Sequence, residues 1–287
     1  MQSTGIFLRP QVSIEEADVA IIGLPWDGTA SNRPGARFGP RAIRSATLGI
    51  EDYSPYQNRD MARLAVYDAG DPELPFGDTA ACLAMIREEY ARLFPKKVAA
   101  LGGEHLVAWP PLQVMHERYG NSLFVIQFDA HADLREHYIG VRECHATVMN
   151  LVHGLIGREN TAAVGVRSGT AEEWAVLRNH PRAYGGPAGR PLSAFGELGG
   201  GLLAGRKVYL TIDLDVFDPS VMPGTGTPEP GGMFFTEFVS LLQSLEGVDI
   251  VGADIVELAP DYDSSGISAA LAGTVLREVL LLMAGKK

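Results

Sequence analysis

The chain has 287 residues, 24 of them Lys or Arg and 35 Asp or Glu, for a formal net charge of −11 with histidine neutral. That sign argues against a protein held to nucleic acid through phosphate contacts, and 46% hydrophobic with 21% charged residues excludes disordered, collagen-like and coiled-coil chains. No run approaches the ~18 consecutive apolar residues that span a bilayer; the longest are short stretches such as 279–284, and no membrane association is expected.

The first ten residues have neither a basic start before a long apolar segment nor a small-residue cleavage site, so secretion is not expected. Cys82 and Cys144 form no CxxC spacing and are too few for a disulfide framework, which fits a reducing cytoplasm. Strand-length apolar runs follow at 18–24, 63–68, 97–101, 122–128, 161–166, 207–212 and 248–255, with an eighth candidate at 182–184. Between them lie helix-period segments at 40–47, 78–93, a stretch ending at 119, 145–156, 171–179, 236–246 and 268–283. This alternation predicts an α/β fold around a largely parallel sheet, one layered domain over residues 1–287. Glycine and proline gather at 23–40, 185–205 and 219–232, marking long loops of the functional kind.

Clusters of Asp, Glu and His stand where predicted strands end, the place where open parallel sheets bind ligands. Gly102-Gly103-Glu104-His105 follows one strand; alone it reads equally as a glycine turn with a surface imidazole. Asp129, His131 and Asp133 follow another at spacings of two, so an extended chain points all three the same way. The carboxylates among them repel unless a cation sits between them; the alternative is a polar loop. Asp213 and Asp215 repeat the pattern after 207–212, while Asp218 before Pro219 reads as a turn cap. His105, Asp129, His131, Asp133, Asp213 and Asp215 offer two imidazoles and four carboxylates with no thiolate, a set suited to Mn²⁺ or a similar ion. Four carboxylates match the charge of two divalent cations, which about 3.5–4 Å apart hold a bridging hydroxide at neutral pH. His145 and Glu257 read, by themselves, as ordinary polar residues, and Cys144 as a small buried one.

Taken together the pattern resembles the ureohydrolase family, the arginase and agmatinase group, through nearly the whole chain. The resemblance is carried by Gly102-Gly103-Glu104-His105, Asp129-Ala130-His131-Ala132-Asp133 and Thr211-Ile212-Asp213-Leu214-Asp215, followed by Asp218-Pro219, Pro223-Gly224 and Gly231-Gly232. Gly23-Leu24-Pro25, Pro34-Gly35-Ala36-Arg37 and Gly39-Pro40-Arg41 also match. It implies a three-layer α/β/α domain with a central, mostly parallel eight-stranded sheet, and a homotrimer or homohexamer. It implies two Mn²⁺ per subunit, one held by His105, Asp129, Asp133 and Asp213, the other by Asp129, His131, Asp213 and Asp215, with Asp129 and Asp213 bridging. Glu257 then pairs with a substrate guanidinium, His145 shuttles protons, metal-bridged hydroxide attacks the guanidinium carbon, and Asp133 passes a proton to the leaving amine.

Where arginases usually carry an Asn two residues after the matching Asp, this chain has Arg135, and that segment with Tyr138 and Cys144-His145-Ala146-Thr147 resembles bacterial and archaeal agmatinases. The implied reaction is agmatine to putrescine and urea, and the acidic chain attracts that dication. Ala146 and Ala259 depart from residues common in relatives and bear on the substrate. The alternatives are 4-guanidinobutyrate or arginine, whose carboxylate Arg135 would bind; a two-metal phosphoesterase, suggested by Asp129-Ala130-His131 but lacking that group's later Gly-Asn-His; and a non-catalytic metal-binding protein that needs neither His145 nor Glu257. His116, His137, His153 and His180 have no role beyond surface or core satisfaction.

Overall fold

Strand-length apolar runs pair side by side in a computed structural model that describes residues 6–8 and 11–285; most of the N-terminal stretch read above for a leader lies outside the described residues. The strands are β1 (Val19–Leu24), β4 (Val66–Asp68), β5 (Lys97–Gly102), β6 (Leu123–Phe128), β7 (Thr161–Val164), β8 (Ala183–Tyr184), β9 (Lys207–Asp213) and β10 (Ile250–Val256). They form one sheet in the order β4-β1-β5-β10-β9-β6-β7-β8, and every neighbouring pair is parallel. A two-stranded hairpin, β2 (Tyr53–Ser54) with β3 (Arg59–Asp60), stands apart and is too short to show as an apolar run.

Parallel connections need crossovers, and helices α1 (Gly39–Thr47), α2 (Thr79–Arg92), α3 (Trp109–Tyr119), α4 (Val148–Ile156), α5 (Ala171–Arg178), α6 (Phe235–Gln243) and α7 (Ile267–Ala284) supply them. Successive strand residues face opposite sides. Val19 and Ile21 join a core with Ile43 of α1, Phe238 of α6 and Leu276 of α7. Ala20, Ile22 and Leu24 join a second with Ile86 of α2, Leu112 of α3 and Val152 of α4. The result is the three-layer α/β/α sandwich with an eight-stranded sheet. Asp78 caps α2, its Oδ1 accepting from the Ala81 N–H at 3.0 Å, worth about 1 kcal/mol.

Helix α7 has the length and, at 1.7, the mean hydropathy of a membrane span, which the search for consecutive apolar residues passed over because Arg277 and Glu278 interrupt it. Yet 67% of it is buried inside the fold, and those two side chains pair at 2.8 Å within it. It is the core helix of one outer layer.

Two histidines without a sequence role have a structural one. His153 and His180 stack at 5.9 Å, and both Nε2 atoms meet the Thr161 hydroxyl, at 3.2 and 3.1 Å. That hydroxyl donates to the Arg158 carbonyl, so both rings donate to it. Burial, with Arg158 nearby, lowers each imidazole to about 4.

Candidate metal centre and active site

The four central strands β5, β10, β9 and β6 are neighbours, and one row of the sheet runs Leu101, Ile255, Ile212, Phe128. Residues just beyond that row emerge on the same edge, and they include His105, Glu257, Asp213 and Asp129. The convergence expected of the separate clusters is thus a consequence of strand order. Gly103 makes it possible on β5: a Cβ there would lie 1.9 Å from the Trp26 carbonyl oxygen, because the loop after β1 folds directly over it, with Gly103 N–H on Leu24 and Glu104 N–H on Trp26, both at 2.9 Å.

His105 is buried, and its Nε2 lies 2.8 Å from the Thr211 hydroxyl, which itself donates to Asp254 at 2.7 Å. The hydroxyl therefore accepts from His105 Nε2–H, and in the neutral ring Nδ1 carries the lone pair. Oxygens of Asp133, Asp129 and Asp213 lie 3.0, 3.1 and 3.5 Å from that Nδ1, yet it has no hydrogen-bond partner. A lone pair facing three carboxylates is repulsive without a cation among them: against the opposing effect of burial, Asp129 and Asp133 raise the imidazole well above its ordinary range, so the site draws positive charge, and the donor set is that of a hard divalent ion. The residues fit the implied metals on this ground.

Two groups of ligand atoms, each within 4.8 Å of one another, stand out: His105, Asp129 and Asp133, and Asp129, His131 and Asp215. Asp129 belongs to both. His131 Nδ1 is 2.8 Å from Asp215 and 3.8 Å from Asp129. The carboxylates are held from behind: Asp129 accepts from Gln127 Nε2 at 2.8 Å and His131 N–H at 2.6 Å, and Asp215 accepts from Ala130 N–H at 3.0 Å. Asp213 Oδ1 caps the turn at Asp215 at 2.9 Å, so its turn-capping role coexists with a second oxygen turned to His105. The chain is not extended through this loop. Asp133 has φ +52°, which swings it to the His105 side while His131 stays with Asp215. Glu257 is also left-handed, at φ +65°. Such backbone costs about 1–3 kcal/mol each and gathers at functional sites.

The electrostatics reflect crowding. Burial, then Asp133 and Asp215, pushes Asp129 up to about 7; burial and neighbouring carboxylates raise Asp213 well above its ordinary range. Burial opposes the charge on Asp215 and His131, but their mutual attraction wins, holding the carboxyl at about 2 and the imidazole at about 10. Burial and Glu104 lift Glu257 to about 8.

Above this cluster opens a cavity of about 270 Å³ lined by Ser31, Tyr138, His145, Glu173 and Glu257 among others. Glu257 accepts from the His105 backbone N–H at 2.9 Å, not from an arginine. Burial depresses the His145 imidazole, leaving it neutral near pH 7. Its Nδ1 and Nε2 face Thr29 at 3.4 Å and Ser31 at 3.2 Å. Arg135 lies 3.8 Å from Glu173 and over the Tyr138 ring at 4.6 Å, and Glu173 is fixed by accepting from Leu134 and Thr170 N–H groups. Asp218 lies outside the cluster: it accepts from Ser220, Gly231 and Gly232, which pull it to about 2, as a turn cap does. Cys144 is buried and its thiol raised by that burial. A larger cleft of about 1110 Å³ opens by the starts of β5 and β10, where Lys97 and Asp249 pair at 2.9 Å; none of the cation-fitting groups belongs to it. Thr29 and Glu173 were missed from the sequence, and Thr211 and Asp254 stood beside the candidate ligands without a role. Glu104 stood inside a quoted motif without a role.

The Arginase family matches residues 17–282. An agmatinase of Bacillus cereus is 42% identical over 96% of this chain and 95% of its own length. A crystal structure from Clostridium difficile, described as a candidate agmatinase, superposes with a TM-score of 0.89 at 40% identity, covering 95% of this chain and 99% of that one. Proclavaminate amidino hydrolase from Streptomyces clavuligerus superposes with a TM-score of 0.83 at 31% identity, over 99% and 98%. The chain therefore belongs to the arginase family, the ureohydrolases. Inside that family it is similar to enzymes named agmatinase.

Proposed function

We propose that this protein hydrolyses agmatine to putrescine and urea with two Mn²⁺ per subunit, as a single-domain, cytoplasmic homo-oligomer, a trimer or hexamer. The observation that carries the reading is the cluster of His105, Asp129, His131, Asp133 and Asp215, with Asp213 3.5 Å from His105, beneath a cavity that also presents His145 and Glu257. His105, Asp129, Asp133 and Asp213 would hold one ion, and Asp129, His131, Asp213 and Asp215 the other. When bound, two divalent ions supply the Lewis acidity that brings a water proton's pKa near 7. Glu257, half-buried at the cavity wall, pairs with the guanidinium and fixes its plane, which removes orientational freedom before the C–N bond breaks. His145, neutral near pH 7, accepts and returns a proton at Nε2, and Asp133 delivers one to the departing amine. Two free cysteines, both buried, accord with a reducing compartment.

Arg135 bears on the substrate tail. With Glu173 and the Tyr138 face already against it, its charge is answered within the chain, which favours a substrate without a carboxylate. The second reading, a guanidino acid such as 4-guanidinobutyrate or arginine, draws on the likeness to proclavaminate amidino hydrolase. Urea release by Mn²⁺-loaded protein on agmatine, arginine and 4-guanidinobutyrate, with a chelated control, decides between them. Agmatine should give the highest kcat/KM; preference for a guanidino acid overturns the substrate, and urea from none of them overturns the reaction. Hydrolysis of an aryl phosphate lost in Asp213→Ala would instead restore the phosphoesterase reading, and activity indifferent to His145 and Glu257 the non-catalytic one.

A further inference from the structure

Glu104 is fully buried, with no accessible surface, and among the described residues no cationic side chain is paired with it. Its partner is Thr29 on the loop after β1, whose N–H reaches Oε2 at 2.8 Å and whose hydroxyl makes a short contact with Oε1. The same hydroxyl lies 3.3 Å from the His145 backbone N–H and 3.4 Å from His145 Nδ1. Thr29 therefore stands between a buried carboxylate and the imidazole that the proposed mechanism uses.

A hydroxyl has one proton to donate and two lone pairs to accept with. With Glu104 ionised, its two oxygens only accept, so the Thr29 N–H goes to Oε2 and the Thr29 hydroxyl proton to Oε1. The lone pairs that remain face His145, where they accept the backbone N–H and require a proton on Nδ1. A neutral imidazole with Nδ1 protonated leaves Nε2 as the acceptor, and Nε2 is the nitrogen beside Ser31 in the cavity. Tyr138, edge-on to the ring at 5.7 Å, restrains its rotation.

We infer that Glu104 and Thr29 are positioning residues: a carboxylate–hydroxyl–imidazole chain that selects the Nδ1–H tautomer of His145 and so makes Nε2 its proton-accepting atom. The inference rests on the proposed role of His145. It carries a specific consequence for Glu104→Gln. The Thr29 N–H needs an oxygen opposite it, so the amide places its oxygen there and its NH₂ against the Thr29 hydroxyl. The hydroxyl must then turn its proton toward Nδ1, and the ring switches to the tautomer with Nε2 protonated. Thr29→Val removes the chain, and Thr29→Ser retains it.

The test has two readouts on the full-length protein. In steady-state urea release from agmatine with Mn²⁺, Glu104→Gln and Thr29→Val should lose roughly 10²–10⁴-fold in kcat, the usual worth of a positioned acid–base group, with KM unchanged and Thr29→Ser close to wild type. In ¹⁵N NMR of histidine-labelled protein carrying Mg²⁺, the His145 resonances should show Nδ1–H in wild type and Thr29→Ser, and Nε2–H in Glu104→Gln. Because Glu104 precedes His105, bound metal is measured in each variant; if Glu104→Gln loses metal, Thr29→Val alone decides the kinetic arm. Wild-type kcat in Thr29→Val, or an Nε2–H ring in the wild type, overturns the inference. If the wild type releases no urea from any guanidine, the proposed function fails while the tautomer measurement still decides this one.

Discussion

Replacing Asp129 by Asn should stabilise the metal-free protein and destabilise the metal-loaded one relative to wild type. Without cations Asp129 is buried beside Asp133 and Asp215 and displaced from its ordinary 3.8 to about 7. A carboxyl whose folded pKa lies above its unfolded value binds its proton more tightly when folded. It therefore weakens the fold as pH rises from 3.8 to about 7, and the loss is fully present above that window, at roughly 4 kcal/mol. Asn removes that cost but has one acceptor oxygen where Asp129 receives two donors, Gln127 Nε2 and His131 N–H; the stranded donor costs about 1–3 kcal/mol. The net expectation at pH 8 is a gain of roughly 1–3 kcal/mol for Asp129→Asn in chelator, shrinking as pH falls toward 4. With Mn²⁺ at a thousandfold its Kd, wild type gains about 4 kcal/mol per site. The variant, lacking a carboxylate shared by both groups, gains less, and the order reverses. Urea denaturation at pH 8 and 5, with chelator and with Mn²⁺, measures all of this. A metal-free Asp129→Asn that unfolds before wild type at pH 8, with the same m-value, would refute the claim that the carboxylates await cations.

Other expectations follow from the same geometry. Glu257→Gln should lower kcat/KM for agmatine by roughly 30- to 10³-fold, the cost of removing one partner of a desolvated ion pair, with bound Mn²⁺ unchanged; a change under about fivefold counts against the pairing. Glu173→Gln frees the charge on Arg135 and should raise kcat/KM for 4-guanidinobutyrate relative to agmatine; an unchanged ratio removes Arg135 from the specificity argument. His153 and His180, at about 4 when folded against about 6.5 unfolded, bind protons more weakly in the native state. Their contribution is whole above pH 6.5 and is lost between 6.5 and 4, at most about 3 kcal/mol each. Over that range His180→Gln should show a shallower fall in urea midpoint than wild type, and parallel curves would exclude the pair as a source of acid sensitivity.

Much was legible from the chain alone. Apolar runs of strand length fix where strands form whatever surrounds them, because each must be buried on both faces, and all eight sheet strands were placed within a few residues. The side chains proposed to hold metal were legible as a cluster because they fall directly after those runs, at His105, Asp129 and Asp213. What pattern could not carry was direction and partnership. Asp133 turns left-handed out of an apparently extended loop, Arg135 is met by a glutamate 38 positions later, and a threonine from the β1 loop reaches a carboxylate after β5. The strand order β5-β10-β9-β6 is the reason: it brings residues from distant parts of the sequence onto one edge. Periodicity reports which face a residue takes and nothing about which strand lies beside its own. The residue types proposed for the chemistry were therefore a property of the sequence, whereas the hydrogen-bond chains that orient them, Asp254 behind His105 and Glu104 behind His145, exist only once the sheet has formed.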